Sequence, residues 1–259
     1  MKHFEKAFAV LCAVAMFVIC AMPAAAQMTE AKEKPPLYSY VANWVIPRAQ
    51  WGEMEKSNAA DEPILQKALA NGTIVGYGDD ETLVHRADGS THDSWWSSTS
   101  LAGVLNVLDQ FYKSGTATSP VLAGSTKHWD SIWVSRYYNW HSGSFKGAYT
   151  MFSAYQLKKD APDDAVETLS KNLVAPLLEK MVADGTLHEY EIDTQAIHTD
   201  APGMFAIVYI ASSAEGLDKV NAAIRAALKA QPLAGPAFGS MTNSSAHRDD
   251  LARTNATYK

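Results

Sequence analysis

Seven histidines lie beyond the first thirty residues, and several stand beside carboxylates: His92-Asp93, His128-x-Asp130 and His247-x-Asp249. Imidazole titrates near neutrality and coordinates zinc, copper or iron, so such groups can serve as general bases or metal ligands. His85 with His198, and His128 with His247, recur at equivalent places in the two halves of the chain. Arg48, His85, His92 and His128 are the candidates for catalysis. The competing reading makes the histidines strand-end residues that bond hairpins, since none shows ligand spacing such as His-x-x-x-His on a helix. No nucleophile elbow, phosphate loop or dinucleotide fingerprint is present. No cofactor is called for by a motif, and haem and a divalent metal stay open as a third reading behind cofactor-free catalysis and plain binding.

The second candidate feature is aromatic. All seven tryptophans fall between Trp44 and Trp140. Alternation on a strand from Trp129 to Trp140 puts Trp129, Trp133 and Tyr137 on one face. With Trp44, Trp95 and Trp96 they are expected to line a pocket for a flat apolar or sugar-like ligand, with His and Arg providing the polar contacts. The bland alternative is core packing. Glu189 and Glu191 share a strand face, which reads as a solvated outer strand.

The elements that must position these residues come from an internal repeat. Pro63-Ile-Leu-Gln-Lys-Ala-Leu-Ala-Asn-Gly-Thr73 returns as Pro176-Leu-Leu-Glu-Lys-Met-Val-Ala-Asp-Gly-Thr186. Without a gap, Tyr77 then falls on Tyr190, Gly103 on Gly216 and Val107 on Val220. Period-two runs predict strands over 37–46, 73–85, 91–99 and 129–140, and helical spacing predicts helices over 47–71 and 101–112. The second copy predicts strands over 148–157, 186–198 and 204–212, and helices over 162–184 and 214–230. A closing strand over 248–258 rests on the match of His128-x-Asp130 to His247-x-Asp249. The order is βαββαβ twice, which puts both helices of each unit on one face of an antiparallel sheet. The other face needs a cover, and a duplicated chain can supply it by facing its two sheets together.

In this the chain resembles the dimeric α/β barrel superfamily, in fused tandem form: an α+β fold of two ferredoxin-like repeats packed as a pseudo-dimeric barrel. The resemblance rests on topology and duplication. It implies activities as varied as cofactor-free monooxygenases, lactone isomerases and haem proteins such as chlorite dismutases, among which fold does not choose.

Lys2 and Lys6, the apolar run to Met22 and Ala24-Ala25-Ala26 read as a signal peptide over 1–26, followed by a flexible segment over 27–36 and repeats over 37–142 and 147–259. The expectation is a periplasmic or secreted protein without stable membrane insertion after cleavage. Both cysteines, Cys12 and Cys20, fall in the predicted signal, which leaves no thiol for a disulfide or a metal. A net charge of −6 without a basic block argues against nucleic acid. The expected partner is a small molecule, with homo-oligomerisation open. Its leading activity is that of a cofactor-free oxygenase or isomerase, and the alternative is a non-catalytic binding module.

Overall fold

A computed structural model describes residues 31–259. The predicted signal peptide lies outside the described residues. The first repeat runs β1 (Leu37–Val45), α1 (Trp51–Ala70), β2 (Gly76–Thr82), β3 (His92–Ser98), α2 (Leu101–Ser114), a short α3 (Pro120–Ala123) and β4 (Lys127–Trp140). The second runs β5 (Gly143–Gln156), α4 (Ala165–Leu169), α5 (Ala175–Ala183), β6 (Leu187–Gln195), β7 (Met204–Ala211), α6 (Ala214–Ala230), α7 (Ala234–Met241) and β8 (Arg248–Tyr258). The final strand is present where the His-x-Asp match put it.

Each repeat forms the expected antiparallel sheet, but the sheets do more than face each other. Their edge strands hydrogen-bond, β2 to β8 and β4 to β6, which closes one eight-stranded barrel in the order β1-β3-β2-β8-β5-β7-β6-β4. Closure satisfies the edge N–H and C=O groups that two stacked sheets would leave open. The helices pack outside. Tyr40, Trp96, Val104, Val107 and Phe111 form the core beneath the first pair, and Tyr137, Leu178, Tyr190 and Val220 the core beneath the second.

The repeated motif has a structural account. Ser100 and Ser213 cap α2 and α6 by accepting from the N–H of Gly103 and Gly216. A Cβ on Gly103 would sit 2.7 Å from the Thr73 carbonyl, and one on Gly216 3.2 Å from the Thr186 carbonyl. The paired glycines thus let each second helix rest on the Gly-Thr turn that ends the first. The repeated prolines are accommodated differently: Pro63 lies within a continuous α1, whereas a π-turn, Ser170–Val174, precedes Pro176.

The described part of the N-terminal segment makes contacts with β4, and one expectation about a strand face is corrected. The described end of the 27–36 segment is tied down: Lys34 N–H donates to the Arg136 carbonyl, and the Tyr138 hydroxyl to the Pro35 carbonyl. Glu191 and Glu189 do not lie on a solvated strand face. Both are buried, at 5 % and 4 % exposure, because β6 belongs to a closed barrel whose second face is an interior.

Candidate functional site

Alternation along the strands divides the polar and aromatic candidates between two cavities. On β1 the even residues from Tyr38 to Trp44 face the helices, and Ser39, Val41 and Asn43 face the lumen. On β3, Trp96 and His92 face outward while Asp93, Trp95 and Ser97 face in. His92 and Asp93 therefore point to opposite sides of the sheet, and Asp93 cannot orient the His92 ring.

On β4 the pattern breaks. A bulge at Arg136 shifts the register against β6. Ser135, fully buried, holds it: its hydroxyl lies 3.0 Å from the Tyr137 carbonyl, 2.9 Å from the Ile192 carbonyl and 3.2 Å from the Ile192 N–H. Trp129 and Trp133 keep the inward face, but Tyr137 turns out into the helix-side core of the second repeat. Tyr137 thus does not share a face with Trp129 and Trp133, because the extra residue inverts the alternation beyond it.

The outer cavity, about 660 Å³, lies between the first repeat's sheet and α1, and takes Trp44, Trp96 and His128 of the predicted residues. Tyr40 stacks on Trp96 at 4.5 Å, with Phe111 edge-on to the indole at 5.2 Å. Trp44 stacks on His128 at 4.9 Å. The imidazole is fixed at both nitrogens: Nδ1 lies 2.9 Å from the Asn43 carbonyl and Nε2 3.4 Å from Asp130 Oδ2. The hydrogen bond to Asp130 raises the proton affinity of His128 against a smaller opposing effect of partial burial. Asp130 Oδ1 is itself buried with no hydrogen-bond partner among the described residues. Tyr40, 5 % exposed, is held protonated first by burial and then by the charge of Asp130.

Arg48, His85 and His92 gather elsewhere, around a residue that the sequence did not single out. Trp51, at the start of α1, takes the Arg48 guanidinium over its ring at 4.9 Å, stacks on His85 at 5.5 Å and meets His92 edge-on at 5.2 Å. Burial lowers the His92 pKa to about 4, so this ring is neutral at physiological pH. Trp44 and Trp51 pack against the same residues, Ile46 and Met54, which places this cluster next to the outer cavity.

The second repeat contains a matching triplet with tyrosine in place of tryptophan. His247 stacks on Tyr155 at 4.4 Å, its Nδ1 lies 3.1 Å from the Ala154 carbonyl, and its Nε2 lies 3.3 Å from Asp249 Oδ2. There Phe238 of α7 sits edge-on to Tyr155 at 5.0 Å.

The inner cavity is the barrel lumen, about 400 Å³; Trp95, Trp129 and Trp133 are among its lining, and of its carboxyl groups Asp80, Asp93, Glu189, Glu191 and Asp193 lie on strands β2, β3 and β6. Burial is the first cause of a raised pKa for each, to about 7 for Asp80 and about 8 for Asp93. Trp95, Tyr258 and Trp140 pack together at one end, where Gly76 and Gly78 leave room for the Tyr258 and Trp95 rings. One signal for these acids was present in the sequence: in the register that sets Tyr77 on Tyr190, Asp80 falls on Asp193.

In the wall of the outer cavity the donors do not fit a haem. His128, the histidine in the outer wall, has both ring nitrogens engaged and its ring pinned on Trp44. No described histidine lies on a helix. Among the described residues no group of three or more His, Cys, Asp or Glu is arranged to hold a metal ion.

An eight-stranded barrel made from two ferredoxin-like halves, with helices outside, defines the dimeric α/β barrel class, and solved structures of that class superpose on nearly all of the described chain. A candidate monooxygenase from Lactobacillus acidophilus matches with a TM-score of 0.63 at 10 % identity, over 87 % of this chain and 97 % of its own. An anthrone oxidase-like protein matches with a TM-score of 0.54 at 10 % identity, over 87 % and 94 %. The chlorite dismutase of Candidatus Nitrospira defluvii, in complex with imidazole, gives 0.51 at 10 % identity, over 85 % and 90 %. At such identities the likeness is one of fold. No family model and no curated protein matches the chain.

Proposed function

We propose that the outer cavity of the first repeat binds a small, flat aromatic or apolar molecule carrying an acidic hydroxyl, and that Asp130, held by His128, accepts its proton at the oxygen left without a partner. The observation that carries this is the fixed Trp44–His128–Asp130 arrangement on the wall of an aromatic cavity of about 660 Å³. Trp44, Trp96 and Phe111 line the cavity with aromatic surface, and His128 fixes the carboxylate that takes the proton. Once deprotonated, such a ligand is electron-rich at carbon. It can then reprotonate at another position, which is isomerisation, or give electrons to dioxygen as co-substrate. The fold shared with the candidate monooxygenases and the anthrone oxidase-like protein supports the oxidative branch. In the second repeat Phe238 packs on Tyr155, the ring that stacks on His247 as Trp44 stacks on His128.

Tryptophan fluorescence tests the reading. A naphthol should quench emission and bind at least tenfold more tightly than its methyl ether. Asp130→Asn should remove that preference while leaving the ether unaffected. Equal binding of naphthol and ether to the wild-type protein, or an unchanged preference in the variant, would overturn the assignment. An absorption spectrum of the purified protein with a Soret band would overturn it as well. We further propose export through the 1–26 segment, which N-terminal sequencing of the secreted protein would check by finding Gln27 first.

A further inference from the structure

The lumen is the wrong interior for a barrel that only needs to be filled. Small closed barrels fill their centres with apolar side chains, whereas this one lines a cavity of about 400 Å³ with carboxyl groups on opposite walls. In the ring order, β2 and β6 stand four strands apart in either direction, directly across the lumen. Asp80 on β2 is the cross-strand partner of Asp93 on β3. Facing them, Glu189, Glu191 and Asp193 follow one another at every second position of β6. The repeat relates Asp80 to Asp193, so the two acidic walls are related by the pseudo-two-fold axis of the barrel.

The acids are only partly satisfied from within the protein. Thr150 donates to Asp80 Oδ1 at 3.0 Å and Ser39 to Glu191 Oε2 at 2.9 Å. Asp193, 3 % exposed and on the lumen wall, leaves Oδ1 buried with no hydrogen-bond partner among the described residues. Among the described residues no lysine or arginine is within ion-pair distance of these five groups, and Arg86 acts on Asp93 only from farther off. The basic residues of the lining, Arg86, Lys127 and Arg248, belong to strand ends and loops at the mouth. There Arg86 is held by Asp250 at 3.0 Å and by Asp88 at 3.4 Å, and Lys127 lies over the Trp129 ring at 4.6 Å. Between the acidic walls Trp95, Trp133, Phe152, Val208 and Ile210 give apolar and aromatic surface, interspersed with the hydroxyls of Ser39, Ser97, Ser131 and Thr150.

Buried acids without cationic partners carry a large cost unless they hold protons or meet a cation. The described acids are not arranged to converge on a metal ion. Two opposed carboxyl groups sets separated by an apolar and aromatic waist instead match a molecule that is cationic at both ends and aliphatic between them, with indole faces available to the ammonium groups. We propose that the barrel lumen is a binding site for a linear aliphatic diamine, one ammonium group against Asp80 and Asp93 and the other against the β6 acids.

Calorimetric titration with butane-1,4-diamine at pH 8 tests this. One diamine per chain is expected. Butylamine should bind at least tenfold more weakly and butane-1,4-diol not at all. Asp193→Asn and Asp80→Asn, which keep shape and relieve buried charge, should each weaken diamine binding at least tenfold while raising the melting temperature. Saturating naphthol should leave diamine affinity unchanged, which separates this site from the outer cavity. Absence of binding, equal binding of butylamine, displacement by millimolar magnesium, or unchanged affinity in both folded Asn variants would overturn the proposal.

Discussion

Asp80→Asn also makes a demanding prediction about stability. Asp80 is 6 % exposed, accepts from Thr150, and has its pKa raised from 3.8 to about 7, chiefly by burial. In the unfolded chain the same carboxyl ionises near pH 4, so between about pH 4 and 7 the folded protein holds a proton that the unfolded chain has released. Stability therefore falls as pH rises through that window. At about 1.4 kcal/mol for each tenfold change in proton affinity, the loss at pH 8 is about 4 kcal/mol. The amide keeps the acceptor for Thr150 and never ionises. Urea unfolding followed by tryptophan emission at pH 4, 6 and 8 should show near-identical stability of variant and wild type at pH 4, and a variant more stable by about 2–4 kcal/mol at pH 8. In a protein of this size that is a melting-temperature gain of roughly 5–15 °C. An Asn variant with the wild-type pH slope, or one less stable than wild type at pH 8, would show that Asp80 is ionised in the folded protein and would refute the reasoning.

His92 works in the opposite direction. Its folded pKa of about 4 lies below the ordinary 6.5, so stability is lost as pH falls between those values, and His92→Gln should remove about 3 kcal/mol of that acid-side loss in the same titration. Gly78→Ala would bring a methyl group within 2.6 Å of the Trp95 ring and 2.8 Å of the Asn255 carbonyl, and should cost about 1–3 kcal/mol by thermal unfolding. Ser135→Ala leaves the groups at the β4 bulge without their hydroxyl partner and should cost about 1–3 kcal/mol, checked by urea midpoint. Phe238→Ala should admit a second naphthol per chain by uncovering Tyr155, read as a change in binding stoichiometry.

The repeat made the fold readable because it fixed the strand order twice, and each copy checked the other. Even β8, inferred from a four-residue match, occupies its expected range. The two cavities were not readable, for three local reasons. A strand with acids at every second position usually has water on one side, and only closure of the ring turns that side inward, as it does for Glu189 and Glu191. The Arg136 bulge leaves no mark in the residue types around it, yet it separates Tyr137 from Trp129 and Trp133. Trp51 was one tryptophan among seven until the turn into α1 set it between Arg48, His85 and His92. The His128-x-Asp130 spacing did carry its meaning, because residues two apart on a strand share a face.

The order of pairing around the ring has a consequence for how the chain acquires its shape. β2 and β4 of the first repeat find their outer neighbours, β8 and β6, only in the second repeat. During synthesis the first sheet is therefore exposed along both rims, with Trp95 and Trp133 uncovered on its inner side, until the later strands arrive. Pairings so distant in sequence are slow to form, and unpaired rims invite association between chains. The acids lining the same surface then have a use before any ligand arrives: charged and hydrated while the barrel is open, they keep the half-made sheet from sticking to its own kind, and they give up that charge as the ring closes over them.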